Sequence, residues 1–334
     1  MESQPEPVEL LECPGIEPDD PMSEAGRKTF RFHYRRMLYN EPGTRLGERI
    51  EALHDMRVAT RRMRAAFRVF GDYYRPKDVA PYLKGLRRTG RTLGPVRDLD
   101  VLRNKIQAHL ATLPESEQGS LDNLLDTLEK RREAAREQMI AYLDGERYAR
   151  FKERFGEFVE TEGMGSRSFS VDDGTPTPYR MRHVAPVAVY ERLAAVRAYD
   201  EWVSIPNPPL PRLHALRIAC KRMRYTLEFF QEVLGPSTKE LIAEIVTMQD
   251  HLGDLQDAVV ASGILRDYLQ WGTWGPKVDR SPEGGTPLDD PGVEAYLAAK
   301  QVELQNLVAA FPEAWQRLKG ADFSKMVSEV VAIL

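Results

Sequence analysis

The sequence predicts an all-α protein made of two related helical halves. The segment from His54 to Phe70 returns as His214 to Phe230, with seven of seventeen positions identical at an offset of 160. Apolar residues recur every three or four positions along most of the chain, and the period-two runs that are typical of strands are absent. A segment repeated at about half the chain length indicates a duplicated unit. We therefore expect two bundles of about six helices each.

Helical spacing places the elements between proline and glycine signals. In the first half the pattern predicts helices at about 23–40, 44–74, 78–93, 97–112, 116–144 and 146–162. In the second half it predicts helices at about 180–203, 211–234, 237–252, 255–271, 291–311 and 313–333. A Gly/Pro-rich loop from Gly272 to Pro291 interrupts the second series.

Composition also marks the limits of the two halves. Residues 1–22 combine prolines with acidic residues, which resists helix formation and predicts a flexible N-terminal arm. Gly163 to Pro178 is rich in glycine, serine and proline, and predicts a linker over 163–179. The first helical half then spans 23–162 and the second spans 180–334.

The overall charge and the cysteine content restrict the kind of site to expect. The net charge is −4 at pH 7 and the isoelectric point is about 6.0, so a site for a polyanion must be local. Cys13 and Cys220 are too few for a disulfide framework or a metal cluster. The N-terminus lacks the basic and apolar regions of an export signal, and no segment approaches the roughly 18 uncharged residues of a membrane helix. We expect a cytoplasmic protein without a membrane partner.

Basic residues of the repeated segment share one side of a predicted helix. At about 100° per residue they fall within an arc of roughly 80°. The first basic row consists of His54, Arg57, Arg61, Arg64 and Arg68. The second basic row consists of His214, Arg217, Lys221 and Arg224, and Glu228 takes the place of Arg68. Apolar residues occupy the opposite side, as expected of a helix that packs on a core.

The two rows lack the mixed charges of an ordinary solvated helix. No acidic residue occurs between Asp55 and Asp72, or from Trp202 to Leu227. Like charges at this spacing destabilise a helix by about a few tenths of a kcal/mol per pair. The compensating partner is either a set of carboxylates from neighbouring helices or an external polyanion. The first row runs about 21 Å along the helix axis, which suits an extended anion.

A third basic stretch follows in the first half, between Asp78 and Asp98. It contains Lys84, Arg87, Arg88, Arg91 and Arg97. Its counterpart, which contains Glu240, Glu244, Asp250 and His251, is not basic. We therefore expect the first half to contribute more of any anion-binding energy.

A second repeated motif, the Leu-Gly box, reads Leu93-Gly94-Pro-Val-Arg97-Asp98 and Leu252-Gly253-Asp-Leu-Gln256-Asp257. Gly94 and Gly253 are predicted to end a helix in the left-handed conformation. Asp98 and Asp257 are predicted to have a structural role. Each is either an acid early in the next helix or the partner of an arginine beside the rows, such as Arg62 or Arg222.

These motifs resemble the CHAD family, a histidine-bearing α-helical domain. The resemblance rests on the doubled His-x-x-Arg-x-x-x-Arg/Lys-Arg-x-Arg helix, each copy followed by a Leu-Gly box, and covers about 23–334. It implies two bundles related by a pseudo-twofold axis around a central basic channel, and a family associated with binding inorganic polyphosphate. The resemblance implies channel positions for His54, Arg57, Arg61, Arg62, Arg64, His214, Arg217, Lys221, Arg222 and Arg224. The predicted polyphosphate-binding residues are these together with Arg68, Lys84, Arg88, Arg91 and Arg97.

The predicted function is therefore non-catalytic binding of inorganic polyphosphate, without a cofactor or metal ion, in the cytoplasm or at polyphosphate granules. One alternative is an adaptor that docks nucleic acid or an acidic protein, although single-strand binders interleave aromatic residues with cations and the rows carry none. A phosphohydrolase is a weaker alternative. His54-Asp55 resembles the His-Asp pair of metal phosphohydrolases, but Ala215 replaces Asp55 in the second copy.

Overall fold

The computed structural model describes residues 9–168, 177–275 and 287–334, and these residues form helices joined by short connections. The first half contains α1 (Met22–Leu46), α2 (Ile50–Phe70), α3 (Pro76–Leu110), α4 (Asp122–Asp144) and α5 (Glu146–Glu160). The second half contains α6 (Met181–Arg197), α7 (Asp200–Val203), α8 (Leu210–Leu234), α9 (Thr238–Trp271), α10 (Pro291–Lys319) and α11 (Ala321–Val331). In these three ranges, β pairing is limited to isolated bridges. The all-α prediction is confirmed.

Leaving the short α7 aside, the order of the long helices is similar in the two halves. The motif helix is α2 in the first half and α8 in the second, and the helix after it is the longest of its half, with 35 residues in α3 and 34 in α9. The pseudo-twofold relation between the halves stays a prediction.

The Leu-Gly boxes lie inside long helices, which corrects the prediction that Gly94 and Gly253 end a helix. Gly94 belongs to α3 and Gly253 to α9, and neither has a positive φ. Each helix continues because apolar residues on both sides of the glycine are buried, for example Leu86 and Ile106 in α3. That burial outweighs the roughly 1 kcal/mol penalty of an interior glycine. The four helices predicted at 78–93, 97–112, 237–252 and 255–271 are therefore two.

The buried apolar residues form two clusters, and each cluster contains side chains from both halves. The larger cluster includes Phe30 and Phe67 from the first half and Met223 and Phe230 from the second. The smaller cluster joins the C-terminal part of α3 and α4 to α9 and α10. Its fully buried members include Ile106, Leu124, Leu265 and Tyr296. The predicted boundary at 163–179, whose residues 169–176 lie outside the described ranges, therefore does not divide the hydrophobic core.

Helices α3 and α9 extend from the larger cluster to the smaller one. In α3, Leu93 belongs to the larger cluster and Leu102 to the smaller. In α9, Leu252 belongs to the larger and Leu265 to the smaller. The Leu-Gly boxes thus lie where each helix leaves one cluster for the other, and this position brings the boxes beside the motif helices.

Residues 9–21 make specific contacts with the second half, which differs from the flexible arm that their composition predicts. The backbone N–H groups of Gly15 and Ile16 donate to the carboxylate of Glu232 at 3.0 and 3.1 Å. Ile16 is buried in the larger cluster. At the start of α1, the N–H of Met22 donates to the carbonyl of Tyr179 at 2.8 Å. Residues 1–8 of the predicted arm lie outside the described ranges.

Candidate anion-binding site

Helices α2 and α8 are held side by side by the apolar faces that the sequence predicts. Met56, Met63 and Phe70 of α2 are fully buried, as are Leu216 and Met223 of α8. The ring of Phe70 lies 6.0 Å from that of Phe229 and 6.1 Å from that of Phe230, so the two helices meet near their C-terminal ends. With these sides buried, the basic rows face away from the core.

Cations of the two rows lie close enough to act on one another. The pKa of Lys221 is lowered to about 8, chiefly by burial and in addition by the charges of four neighbouring guanidinium groups. The four arginines are Arg217 and Arg222 of α8 and Arg61 and Arg68 of α2. Burial also lowers the pKa of Arg61, and the charges of Arg57, Arg224 and Arg62 add to this effect. The first and second basic rows therefore contribute to one common field.

Helix α3 adds cations to the first row. Burial lowers the pKa of Arg64, and the charges of Arg68, Arg87, Arg91 and Arg57 lower it further. The guanidinium of Arg64 passes closely over Gly90, where a Cβ atom would lie 3.0 Å from its Nη1. The absence of a side chain at Gly90 thus allows Arg64 to lie against α3.

Three carboxylates neutralise part of the two rows or lie beside them. Arg57 donates to Asp98 of α3 at 2.9 Å. Glu228 of α8 forms ion pairs with Arg62 of α2 at 2.9 Å and with Arg224 of its own helix at 3.6 Å. Asp55 is exposed next to His54. The Arg62–Glu228 ion pair crosses directly from one motif helix to the other.

Nine further cations on α2, α3 and α8 have no ion pair within the described ranges. We call these nine residues the basic cluster. Among the described residues, no carboxylate is paired with these cations, so their positive charge is uncompensated there. The basic cluster consists of Arg61, Arg64 and Arg68 of α2, Arg87, Arg91 and Arg97 of α3, and Arg217, Lys221 and Arg222 of α8.

The aspartates of the Leu-Gly boxes have different partners from those predicted. Asp98 is exposed, with 67% of its side chain accessible, and it pairs with Arg57 rather than Arg62. Asp257 binds Lys105 of α3 at 2.6 Å. Because the boxes lie inside α3 and α9, neither aspartate starts a helix. Both take part in contacts between helices instead.

Each motif histidine interacts with the fifth residue of the Leu-Gly box in its own half, which is Arg97 for His54 and Gln256 for His214. Burial lowers the pKa of His54, and the charge of Arg97 is the next largest cause. His214 is exposed, and its Nδ1–H donates to the Oε1 of Gln256 at 2.5 Å. Arg97 and Gln256 occupy the same place in the two boxes. His214 therefore links α8 to α9 through a hydrogen bond, whereas His54 lies within the electrostatic influence of Arg97 on α3.

Two of the predicted binding residues are not joined to the basic cluster by any described interaction. Lys84 is exposed on α3. Arg88 acts on Tyr142 of α4 and so lies on the side of α3 that faces that helix. Arg87, which belongs to the basic stretch but not to the predicted binding set, takes this place beside Arg64.

Arg192 of α6 is a further cation that sequence reasoning misses. It lines a cavity together with Arg68 and Arg222. Arg192 stands between Glu191 and Leu193 outside the repeated segment, so neither the repeat nor a run of basic residues indicates it.

The described residues offer no preformed metal site. Among them, no group of three or more His, Cys, Asp or Glu side chains is arranged to hold a metal ion. None of the described helices has the length and apolar character needed to cross a membrane. The arrangement as it stands can attract, orient and hydrogen-bond an anion.

The fold and this cluster together define an all-α protein in which the two motif helices and α3 bring together cations that have no ion pair among the described residues. The CHAD domain family model matches residues 28–266, which includes both motif helices and most of α9. The chain belongs to the CHAD domain family.

Known proteins of similar sequence or structure fit this assignment. Two curated proteins of Mycobacterium tuberculosis, described as Uncharacterized protein MT2285 and Uncharacterized protein Rv2226, are each 27% identical over 218 residues. The match covers 63% of this chain and 39% of each relative, so the chain spans about two fifths of their length.

Two solved structures share the fold. The crystal structure of the CHAD domain from the plant Ricinus communis has a TM-score of 0.61 at 21% identity, covering 98% of this chain and 96% of that one. PptA from Streptomyces chartreusis has a TM-score of 0.63 at 16% identity, covering 89% of this chain and all of that one. Each likeness extends over nearly the whole helical architecture.

Proposed function

We propose that this protein binds inorganic polyphosphate in the basic cluster and performs no chemistry on it. The observation that carries the proposal is the effect of the charges of Arg61 and Arg68, on one motif helix, on Lys221 of the other. Cations brought this close repel one another, and an anion placed between them would relieve the repulsion of both rows at once.

The chemistry of the cluster suits a phosphate polymer. Polyphosphate carries about one negative charge per phosphate along a flexible chain, and guanidinium groups bind phosphate oxygens through paired N–H donors. Because most cluster members are arginines without an ion pair within the described ranges, their donors are available to a ligand. The CHAD family is associated with polyphosphate, which supports the same ligand.

A nucleic acid fits the cluster less well because the cluster has no aromatic surface on which bases could stack. Tyr225, the aromatic residue whose charge state acts on Arg61, is only 4% exposed. The exposed Trp202 is covered by the guanidinium of Arg212, whose Cζ lies 4.0 Å from the centroid of the indole ring. The proposed partner is therefore a polyanion without bases, and we place its binding in the cytoplasm.

The proposal is tested by reversing one charge in each row. Arg61→Glu combined with Lys221→Glu is expected to abolish retention on immobilised polyphosphate at about 0.15 M salt, because both rows lose attraction and gain repulsion. Helicity, measured by circular dichroism, should be unchanged because both side chains face away from the core. Unchanged retention would refute the placement of the site.

A matched variant controls for the change in total charge. Arg150→Glu combined with Lys325→Glu reverses two exposed cations outside the cluster. This variant is expected to keep retention because the basic cluster is unchanged, and to keep its fold because isolated surface ion pairs contribute little to stability. Competition with tRNA and with an acidic peptide distinguishes the alternative partners. Orthophosphate released from the bound polymer, and lost in the Arg61/Lys221 variant, would show instead that the protein is an enzyme.

A further inference from the structure

A small cavity beside the basic cluster brings together arginines from three helices. Its volume is about 170 Å³, and it is lined by Arg68 of α2, Arg192 of α6 and Arg222 of α8. Ala65, Val69, Tyr225 and Thr226 complete its wall. Arg68 and Arg222 belong to the basic cluster, and their charges also act on Lys221. The cavity therefore adjoins the basic cluster.

Within the described ranges, the protein supplies no counter-charge to this cavity. Arg68, Arg192 and Arg222 have no ion pair there, and the buried Nε of Arg192 has no hydrogen-bond partner. The hydroxyl group of Thr226 donates to the backbone carbonyl of Arg222 at 3.0 Å and is therefore already engaged. A buried guanidinium donor without an acceptor is unfavourable, and an anionic ligand in the cavity would supply the missing acceptor.

The equivalent place in the repeat has a charge that is less favourable to an anion. At the offset of 160, Arg222 corresponds to Arg62, Arg68 to Glu228 and Arg192 to Phe32. Glu228 and Arg62 form an ion pair at 2.9 Å, and all three residues line a separate pocket beside Cys13 and Glu232. A carboxylate and an aromatic ring thus replace two of the three guanidinium groups. The cavity and its equivalent place are therefore chemically different.

We propose that the cavity formed by Arg68, Arg192 and Arg222 holds the terminal phosphoryl group of a polyphosphate chain, while the other members of the basic cluster hold the phosphates that follow. This inference rests on the proposed function and assigns a direction to the bound polyphosphate chain, whose end lies in the cavity. The terminal group differs from an interior phosphate because it has a second ionisation with a pKa of about 6, and so carries up to about two charges at pH 7.5. Three guanidinium groups in one small cavity match that extra charge and its additional oxygen atoms.

The volume of the cavity agrees with one terminal group. About 170 Å³ is enough for a phosphoryl group together with a few water molecules. Interior phosphates are bridged on both sides and need a continuous groove. A chain whose end is blocked should therefore lose the contribution of this cavity and keep that of the basic cluster.

The test compares free-ended chains with chains of the same length whose terminal phosphates are blocked as phosphoramidates. Wild-type protein is expected to bind free-ended chains about tenfold or more tightly at pH 7.5, as measured by calorimetry. Arg192→Gln should lose this preference and bind both kinds of chain like wild type binds blocked ones. Arg150→Gln, at an exposed arginine outside the cluster, should keep it. Arg192→Lys, which keeps the charge but not the paired donors, provides a second readout if Arg192→Gln is less stable.

The number of proteins bound per chain gives an independent result. At protein concentrations between the dissociation constants for free-ended and for blocked chains, long free-ended chains should bind one protein molecule per chain end whatever their length, and a ratio that grows with length under these conditions would overturn the proposal. Equal affinity of wild type for free and blocked chains would also overturn it, while leaving polyphosphate binding intact. If orthophosphate binds and Arg192→Gln abolishes only that binding, the cavity is an orthophosphate site instead. Failure of wild type to bind any chain would contradict the proposed function itself.

Discussion

Lys221 is the residue at which the repulsion between the two motif helices is most evident. It is held among arginines of α2 and α8, and burial together with their charges lowers its pKa to about 8. A lysine in this environment is partly neutral just above physiological pH. Phosphates bound beside it would favour the ammonium form and raise its pKa again.

This linkage predicts that polyphosphate affinity falls as the pH rises through about 8, because binding then requires Lys221 to take up a proton. The decrease from pH 7.5 to 9.5 should be about tenfold, a range in which terminal phosphates are already ionised. Lys221→Arg should remove most of this dependence because arginine stays charged. Calorimetry in buffers of different ionisation enthalpy measures the proton uptake. An equally steep pH profile in Lys221→Arg would assign the effect to another group.

At the residue scale, the sequence predicts which cations share a side of a helix but not which acids they meet. The arc of the first basic row follows from helix geometry alone, and the structure brings Arg57, Arg61, Arg64 and Arg68 into one field. The partners of Arg57 and Arg62 depend on how α2 packs against α3 and α8. Helical periodicity carries no information about such contacts between helices, and it gives no indication of Arg192.

At the scale of single elements, glycines in similar sequence contexts have opposite roles. Gly47 ends α1 with a φ of 76°, and the guanidinium of Arg136 donates to the carbonyls of Arg45 and Leu46 at 2.7 and 3.0 Å beside it. Gly253 lies inside α9, and a Cβ atom there would meet nothing within 4 Å. Local sequence alone predicts a helix end for Gly253, because the apolar packing that continues the helix lies further along the chain.

The difference predicts opposite effects of alanine. Gly253→Ala should raise the free energy of unfolding by about 0.5–1 kcal/mol, because it restricts the unfolded chain without strain in the helix. Gly47→Ala should lower it by about 1–2 kcal/mol, because its φ is left-handed and its Cβ would lie 2.5 Å from the Nη1 of Arg136. Urea unfolding followed by circular dichroism measures both changes. A destabilised Gly253→Ala would mean that α9 ends at this glycine in solution.

At the scale of the whole molecule, the two halves depend on each other for their hydrophobic cores. The repeat and the linker composition suggest independent bundles, yet the smaller cluster combines Ile106 and Leu124 of the first half with Leu265 and Tyr296 of the second. Sequence periodicity predicts which side of each helix is buried. It cannot predict whether that side packs within its own half or against the other, since both arrangements use the same apolar pattern.

A shared core predicts that the halves unfold together. Leu265→Ala, at a fully buried position in the smaller cluster, should lower the free energy of unfolding by about 2–5 kcal/mol. Calorimetry should still show one transition, shifted as a whole to lower temperature. Residues 23–162 expressed alone should lack cooperative unfolding, because the second half no longer covers their apolar side chains. Two separate transitions in the variant, of which only one shifts, would show that the halves are independent.

The difference between Arg68 and Glu228 has a consequence for why the two copies share a single polypeptide. A symmetric homodimer places identical residues on both sides of its axis, so it would present either two arginines or two glutamates at these positions. Covalent joining of the copies removes that constraint. One side can then keep three guanidinium groups around a cavity while the other side carries an internal ion pair. The two sides of the molecule differ in a way that a symmetric dimer of identical subunits could not show.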